Sequence, residues 1–596
     1  MIRIVHRFSA SALLVAEILV AGTSPGLSQN SVYEGSTSAL IDKSTLPIAS
    51  EFREGRLRVN VNESAISPAA TEVPLSLQPL VAPPSLALPD QKEQVQINEL
   101  RPLTLEETLL LAEVNSPKLK AALSQVDQAK LSLRAKIAFW YPTVDFSAGG
   151  LPAYFKSYTF RNPDFLSEVS MASATNRLTG EVANPVNEPT NETYAREWRL
   201  NASLQVSWDI INPRRVPQIA AARDRYERAR RSYLISLRDL RLETSIAYFN
   251  LQEADEGVRI GQTSVRASLI SLRDARARFN AGVNTKLEVL EAETQLARDR
   301  SILASKLGDQ NTARRSLASK VSLPQNITPT AATPGRPLGS WKASLQESIS
   351  AAYAYREELD QLLLDISISN SEANASLAAI QPILSFVNTS NVNRREGQMG
   401  RRSIKEIDMD DYAWAFSNTT ALTLTWRLFD GGHSHAEYSR FKRAAKQNAY
   451  QFARKRDDIR LEVEQSFFGL RTSIQNIQTT ASEVLSSRES LLLSQLRVQA
   501  GVSTQREVVN NQRDLTNAEL RYASAIRGYN TGLVQLGRRT GLDALLPCSG
   551  PDGLPSINPE DMQTLIPIEP MPFRSVCPTT PVSSGFAIPS FSVQEL

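Results

Sequence analysis

The chain has 596 residues, with 66 lysines and arginines against 63 acidic residues and a net charge of about +3. That balance carries no signal for nucleic acid or for an acidic partner. Three histidines (His6, His433, His435) leave little room for the commonest catalytic base, and the sequence holds no phosphate-binding glycine loop, HExxH helix or paired CxxC motif.

In chain order, Arg3, His6 and Arg7 precede a short apolar run from Ala10 to Ala21 that is interrupted by Glu17. This reads as a secretory signal peptide over 1–29, cleaved between Gly22 and Asn30. The run is shorter than the roughly 20 apolar residues a spanning helix needs. No cysteine follows it, so no lipid anchor is expected there. Residues 30–98 carry Pro74, Pro79, Pro83, Pro84 and Pro89 and suit an extended, mobile tether. A similar Pro-rich tail, 546–596, holds both cysteines, Cys548 and Cys577. In an exported protein they could form one disulfide closing a loop of about 30 residues, or stand as two free thiols.

Between these extensions the chain is duplicated, with a first repeat over 99–330 and a second over 331–545. Thr104-Leu-Glu-Glu and Ser344-Leu-Gln-Glu open the copies, 240 positions apart, and Tyr141-Pro142 and Gln381-Pro382 keep that offset. The first helix is expected over 104–140. Strands follow: Leu200, Ala202, Leu204, Val206 and Trp208 alternate with small polar residues, as do Leu422, Leu424 and Trp426 in the second copy. Period two with one apolar face is the pattern of a transmembrane barrel strand or of a half-buried soluble one. The polar stretches 161–195 and 388–412, the latter with Asn391, Arg394, Arg395, Arg401 and Arg402, suit long external loops.

Next come proline-poor helices over about 217–281 and 436–500, each about 97 Å long at 1.5 Å per residue. Val463, Phe467, Leu470, Ile474, Ile477, Ala481 and Val484 step by 4, 3, 4, 3, 4, 3, and so do Leu240, Thr244, Ala247, Leu251, Ala254 and Val258. Such a seam needs a partner helix. Two shorter helices stacked end to end would match one long helix in length. Each long helix ends at an Ala-Gly-Val turn: Trp208 to Gly282 is 74 positions, and Trp426 to Gly501 is 75. Gly282 and Gly501 fit the left-handed position that ends a helix. Thr285-x-x-Glu288 and Thr504-x-x-Glu507 read as capping boxes for returning helices over 285–322 and 504–540.

Four strands per chain cannot close a pore, since the smallest barrels have about eight. Strand pairs, long helices, a duplicated half and an export signal together resemble the TolC-like outer membrane efflux protein family. The likeness is carried by "LTLEETLLLAEVNSPKLKAA" at 103–122, "YPTVDFSAG" at 141–149, "WRLFDGGHSHAE" at 426–437 and the two turn segments "RFNAGVNTKLEVLEAETQL" and "RVQAGVSTQREVVNNQRDL", and spans roughly 100–541. The resemblance implies a mixed α and transmembrane β fold. In it a homotrimer forms a 12-stranded β-barrel in the outer membrane, four strands per chain, continued by a long α-helical coiled-coil tunnel in the periplasm. It implies an export channel of a tripartite efflux or type I secretion system in a diderm bacterium, fed by an inner-membrane ABC or RND transporter through a periplasmic adaptor. Neither enzymatic activity nor a cofactor is expected.

In the family, two acidic positions three apart on the second returning helix narrow the periplasmic entrance. Here they are Glu507 and Asn510, so one carboxylate is replaced by an amide, and Glu288 and Glu291 of the first copy are the remaining candidates. Gly282, Val283, Asn284, Gly501, Val502 and Ser503 correspond to adaptor-contact tips. Trp208 and Trp426 are expected as anchors at the membrane interface, against outer membrane lipid. His433 and His435, two apart with no third ligand nearby, make no metal site. The rival reading is a coiled-coil envelope protein without a pore.

Overall fold

A computed structural model describes residues 67–547 except Ser85, Asn98, 161–191, Asn284, 403–406 and 543–544. The expected signal peptide, residues 30–66 of the extension, the tail from Cys548 and both cysteines therefore lie outside the described residues.

The first repeat runs β1 (Glu99–Leu103), α1 (Leu105–Asn115), α2 (Pro117–Ile137), β2 (Thr143–Phe160), β3 (Glu192–Ile211), α3 (Arg215–Asn280), α4 (Lys286–Val321) and β4 (Ile327–Ala331). The second runs β5 (Gly339–Trp341), α5 (Leu345–Tyr355), α6 (Glu357–Leu377), β6 (Ile383–Arg402), β7 (Ile407–Thr425), α7 (His433–Gln499), α8 (Gln505–Thr540) and β8 (Leu545–Pro547). β1 pairs with β4 in parallel and β5 with β8 antiparallel, two small sheets that bracket the repeats.

The helix expected over 104–140 is broken. Ser116 precedes Pro117, whose ring disfavours helical backbone in the residue before it, and Ser116 adopts φ −55°, ψ 117°. Its side chain then caps α2 by accepting from Leu119 N at 3.3 Å. The second copy breaks at the equivalent Arg356 without a proline. Capping boxes open α1 (Thr104 with Glu107) and α5 (Ser344 with Glu347), so the repeated tetrapeptides are helix starts.

The helices α3 and α7 have 66 and 67 residues, about 100 Å each at 1.5 Å per residue. α3 packs on α1, α2 and α6 towards its N-terminus and on α4 beyond; α7 packs on α5 and α6, then on α8. Both heptad seams are buried as expected, with Ala481 half-buried. Each long helix is thus covered by three helices in series, the expected upper partner being split in two.

The strands β2, β3, β6 and β7 form one antiparallel sheet in that order, and the β3–β6 pairing joins the two repeats. The sequence expectation of a loop over 388–412 is overturned: β6 extends to Arg402 and β7 begins at Ile407, and 192–195 likewise belong to β3. A barrel strand needs only about 9–11 residues to cross a membrane. These strands have 18 to 20, so their outer thirds can be as polar as loops.

The extension is corrected as well. Residues 67–84 do not hang free: Leu77 and Leu80 are only 4% and 2% exposed, in one core with Leu103, Leu111, Leu237 and Tyr248. Asn115 Nδ2 donates to Leu80 O (2.8 Å) and its Oδ1 accepts from Ala82 N (2.9 Å), while Arg241 reaches Ser67 and Pro68 carbonyls. This strap lies across the α1–α2 break. At the α5–α6 break the cover is ionic. Arg238 Nη2 donates to Tyr355 O (3.2 Å) and pairs with Glu357 (3.0 Å), Arg356 bridges Glu358 and Glu462, and Arg538 bridges Asp239 and Glu358. Burial alone would push the Glu358 carboxyl up, yet hydrogen bonds and charge from Arg356 and Arg538 bring it down from 4.5 to about 2.

Two outcomes follow from these covers. Leu77→Ala with Leu80→Ala is expected to cost about 2–5 kcal/mol per site, read as a lower denaturant midpoint, and to open 67–84 to limited proteolysis. An unchanged midpoint and cleavage pattern would show that the strap contributes nothing. Because the folded Glu358 pKa lies below its unfolded value, its contribution is complete above the unfolded pKa and lost as pH falls. Stability should therefore drop between about pH 5 and pH 2, and Glu358→Gln should flatten that drop in a pH series of denaturation curves.

Candidate functional site

Both long helices end in the same turn. Val283 N donates to Arg278 O and Val502 N to Arg497 O, each at 3.0 Å, with Gly282 and Gly501 both at φ +74°. This six-to-one closure with a left-handed glycine is a Schellman motif. A side chain at either glycine would meet no other atom within 4 Å, so the glycines serve the backbone angle rather than close packing. Asn284, the remaining tip candidate of the first turn, lies outside the described residues.

The returning helices do not begin with capping boxes. Neither Thr285 nor Thr504 makes a side-chain cap; the backbone amides of Glu288 and Glu507 reach the threonine carbonyls at 3.2 Å instead. That leaves the Glu507 carboxylate for other partners: Ser503 Oγ and Arg497 Nη1, the latter at 2.9 Å. Glu291 pairs with Arg506 Nε at 2.9 Å, across the two repeats, and this pairing pushes the Arg506 guanidinium up. Glu288 is half-buried and Asn510 exposed. The four entrance candidates thus share one end of the helices. Two of their carboxylates carry arginine partners, which a search for acidic positions alone passes over although Arg506 adjoins Glu507 in the chain.

Between the tips lies a cavity of about 300 Å³ lined by Ser268, Asp274, Arg278, Gln295, Gln499 and Gln505, among others. Its walls are tied by polar contacts: Gln505 Nε2 donates to Ser271 Oγ (2.5 Å) and Arg278 Nη1 to Val498 O (3.2 Å); beyond the cavity Ser264 meets Thr516 (3.1 Å). Asp299, buried behind it, accepts from Ser268 and from Gln295 Nε2 (2.9 Å).

At the other end, Trp208 Nε1 donates to Trp140 O (3.0 Å) and Trp426 Nε1 to Ile380 O (3.1 Å), the same bond in each repeat, fastening the end of one strand to the turn that starts its neighbour. Both rings are exposed. Asp430 accepts from Gly432 N and Ser434 N at the start of α7, and these bonds, Ser434's first, hold its carboxyl below the usual range. Gly431 (φ +70°) and Gly432 (φ +85°) make the change of direction. Among the described residues no group of three His, Cys, Asp or Glu could hold a metal, and no helix is long and apolar enough to cross a membrane.

The sheet carries one apolar face. Val144 and Phe146 on β2, Trp198, Leu200, Leu204, Val206 and Trp208 on β3, and Trp414, Phe416, Leu422 and Leu424 on β7 share it by register.

Several known proteins resemble this chain. It is 24% identical over 204 residues to protein CyaE of Bordetella pertussis, covering 34% of the chain and 41% of CyaE, so the match spans less than half of that relative. The fold resembles a membrane protein from Pseudomonas aeruginosa (TM-score 0.55, 18% identity, 77% of this chain and all of that one). It also resembles CusC, in a study of its folding and transmembrane channel formation (TM-score 0.57, 17% identity, 79% and 99%). The family model for outer membrane efflux proteins matches residues 109–321 and 348–542, one segment in each repeat and together more than half of the sequence. The chain therefore belongs to the outer membrane efflux protein family.

Proposed function

We propose that three copies of this chain form an outer membrane channel whose helices extend through the periplasm as a tunnel for efflux or secretion. The carrying observation is a four-stranded antiparallel sheet with β2 and β7 as free edges and one apolar face, joined directly to helices of about 100 Å. Open edges in a membrane are untenable, because unpaired backbone groups find no water there. Joining β7 of one copy to β2 of the next satisfies both edges, and three copies give twelve strands. Exposed apolar residues on the helices (Leu485, Leu492, Leu493 and Leu496 on α7; Leu287 and Leu290 on α4) supply matching surfaces between copies.

On this reading Trp208 and Trp426 anchor the periplasmic interface of the membrane, and the Gly282 and Gly501 turns face the periplasm. Glu507, Asn510, Glu288 and Glu291 line the entrance, where three-fold repetition multiplies every charge. Arg497 and Arg506 moderate that ring. The tips, with Val283, Asn284, Val502 and Ser503, would receive a periplasmic adaptor linked to an inner-membrane ABC or RND transporter, and the signal peptide over 1–29 would deliver the chain. Transport needs no catalytic group of this chain and no cofactor.

Planar-bilayer recording tests the proposal, and a chain that forms no pore would refute it. Glu507→Gln should weaken block by multivalent cations added at the tip side by about two- to fivefold, and Arg506→Ala, which releases Glu291, should strengthen it. Equal block in all three proteins would remove the carboxylates from the entrance. A photo-crosslinker at Val502 or Val283 should capture a periplasmic protein in intact cells, whereas one at Leu422 should not; equal capture at both would place the adaptor contact elsewhere.

A further inference from the structure

We infer that Asn388, Ser390, Asn418 and Thr420 form a clasp within the bilayer that sets the register of β6 on β7. The inference rests on the membrane reading above. These four residues interrupt the apolar face. On β7 that face reads Leu424, Leu422, Thr420, Asn418, Phe416, Trp414, and on β6 Phe386, Asn388, Ser390, Val392. Trp426 and Trp414 are twelve positions apart with Thr420 midway between them. At about 3.3 Å per residue and a tilt near 45° that interval spans roughly 28 Å, close to the thickness of a hydrocarbon core. The polar group therefore sits near mid-depth on the side that faces lipid.

It is closed upon itself. Asn388 Nδ2 donates to Thr420 Oγ1 (2.7 Å) and Asn418 Oδ1 (3.2 Å); Asn418 Nδ2 donates to Ser390 Oγ (2.7 Å) and Asn388 Oδ1 (3.4 Å). Thr420 Oγ1 donates to Asn418 Oδ1 (3.4 Å). Both amide NH₂ groups are spent within the cluster, so it offers little to an outside partner and needs no water. Between Ser385 and Asn393 the other face of this hairpin is Ser, Thr, Asn and Ala with Val387 as its one larger apolar residue, a pattern that specifies register weakly. A slip of two residues would keep each side chain on its face but set Asn388 opposite Leu422, or Ser390 opposite Phe416. The first leaves both amides against apolar residues, with Asn418 opposite Val392; the second sets Asn388 on Asn418 but strands the Ser390 and Thr420 hydroxyls opposite Phe416 and Phe386, and unpaired polar groups are costly in hydrocarbon. Only the observed register satisfies all four. β7 is a free edge in the single chain, so its alignment on β6 decides how it meets the next copy.

The test is disulfide mapping in the full chain with Cys548→Ser and Cys577→Ser. Ser385→Cys with Thr423→Cys reports the native register, and Ser385→Cys with Thr425→Cys reports the two-residue slip that sets Asn388 opposite Leu422. With the clasp intact, the native disulfide should exceed the slipped one by roughly tenfold or more; with Asn388→Val and Asn418→Val the slipped disulfide should rise to a comparable yield. An unchanged ratio overturns the clasp. Should the double variant fail to assemble, Thr420→Val alone should shift the ratio part of the way, and no shift there overturns it equally. Phe416→Cys separates the two ideas: labelling by a water-soluble maleimide would sink the membrane reading, whereas the disulfide ratio judges the clasp by itself.

Discussion

The pairing of β3 with β6 sets the level from which both long helices depart. β3 runs into α3 across a few residues, and β7, held to β6, runs into α7 through Asp430-Gly431-Gly432. The two helices then differ in length by one residue, so their terminal glycines arrive at the same depth. That coincidence is what lets Gln505 reach Ser271, Arg278 reach Val498 and Arg506 reach Glu291. A deletion of one heptad from α3 alone would leave every one of these contacts without a partner.

A helix of about 100 Å also needs its seam covered throughout. Neither repeat supplies a single helix of that length for the purpose. Each uses two in series, and each upper partner is itself broken, at Ser116 and at Arg356. A break exposes helix-end carbonyls and amides that need partners. The repeats solve this differently. The first recruits the strap 67–84, which lies outside the residues 109–321 and 348–542 that the family model matches. The second recruits Arg238, Arg356 and Arg538, with Gly541 (φ +72°) approaching Tyr355 so closely that a Cβ there would lie 2.9 Å from it. The duplication preserved the break and not its cover.

Much of this was legible in the sequence, where the signal is periodic. The heptads at 240–258 and 463–484 and the glycine turns became buried seams and helix ends as read. Strand limits were not legible, because a long strand leaving an apolar layer turns polar, and 388–402 looks like a loop until its partner strands are known. The alternation at 421–426 fades at Thr420 and Asn418 for a reason no window can show: these side chains are satisfied by Asn388 and Ser390, about thirty positions away. Leu77 and Leu80 sit among prolines, and only tertiary contact with α1 and α3 reveals them as core. Thr and Glu recur at the tips with capping-box spacing, yet the boxes form only where the repeats begin, among the described residues. Glu507 shows why: a neighbouring arginine and serine compete for the carboxylate that the cap would have used.

These arrangements grade the molecule along its length. Near the breaks, ion pairs are buried: Arg238 and Glu357 are 8% and 3% exposed, and removing one partner of such a pair costs about 3–5 kcal/mol. At the tips the pairs are open, with Arg506 64% and Arg497 56% exposed, so solvent and salt screen them and little is lost when they part. The core shrinks in the same direction, from Tyr248, Phe249 and Phe467 to Val498, Val508, Leu272 and Ala275. Between the tips the seam takes in Ser268, Ser271, Gln495 and Gln505 around a cavity whose wall is part polar and part apolar. If the tips form the entrance proposed above, parting them exchanges exposed charges, which costs less than separating the buried pairs at the breaks.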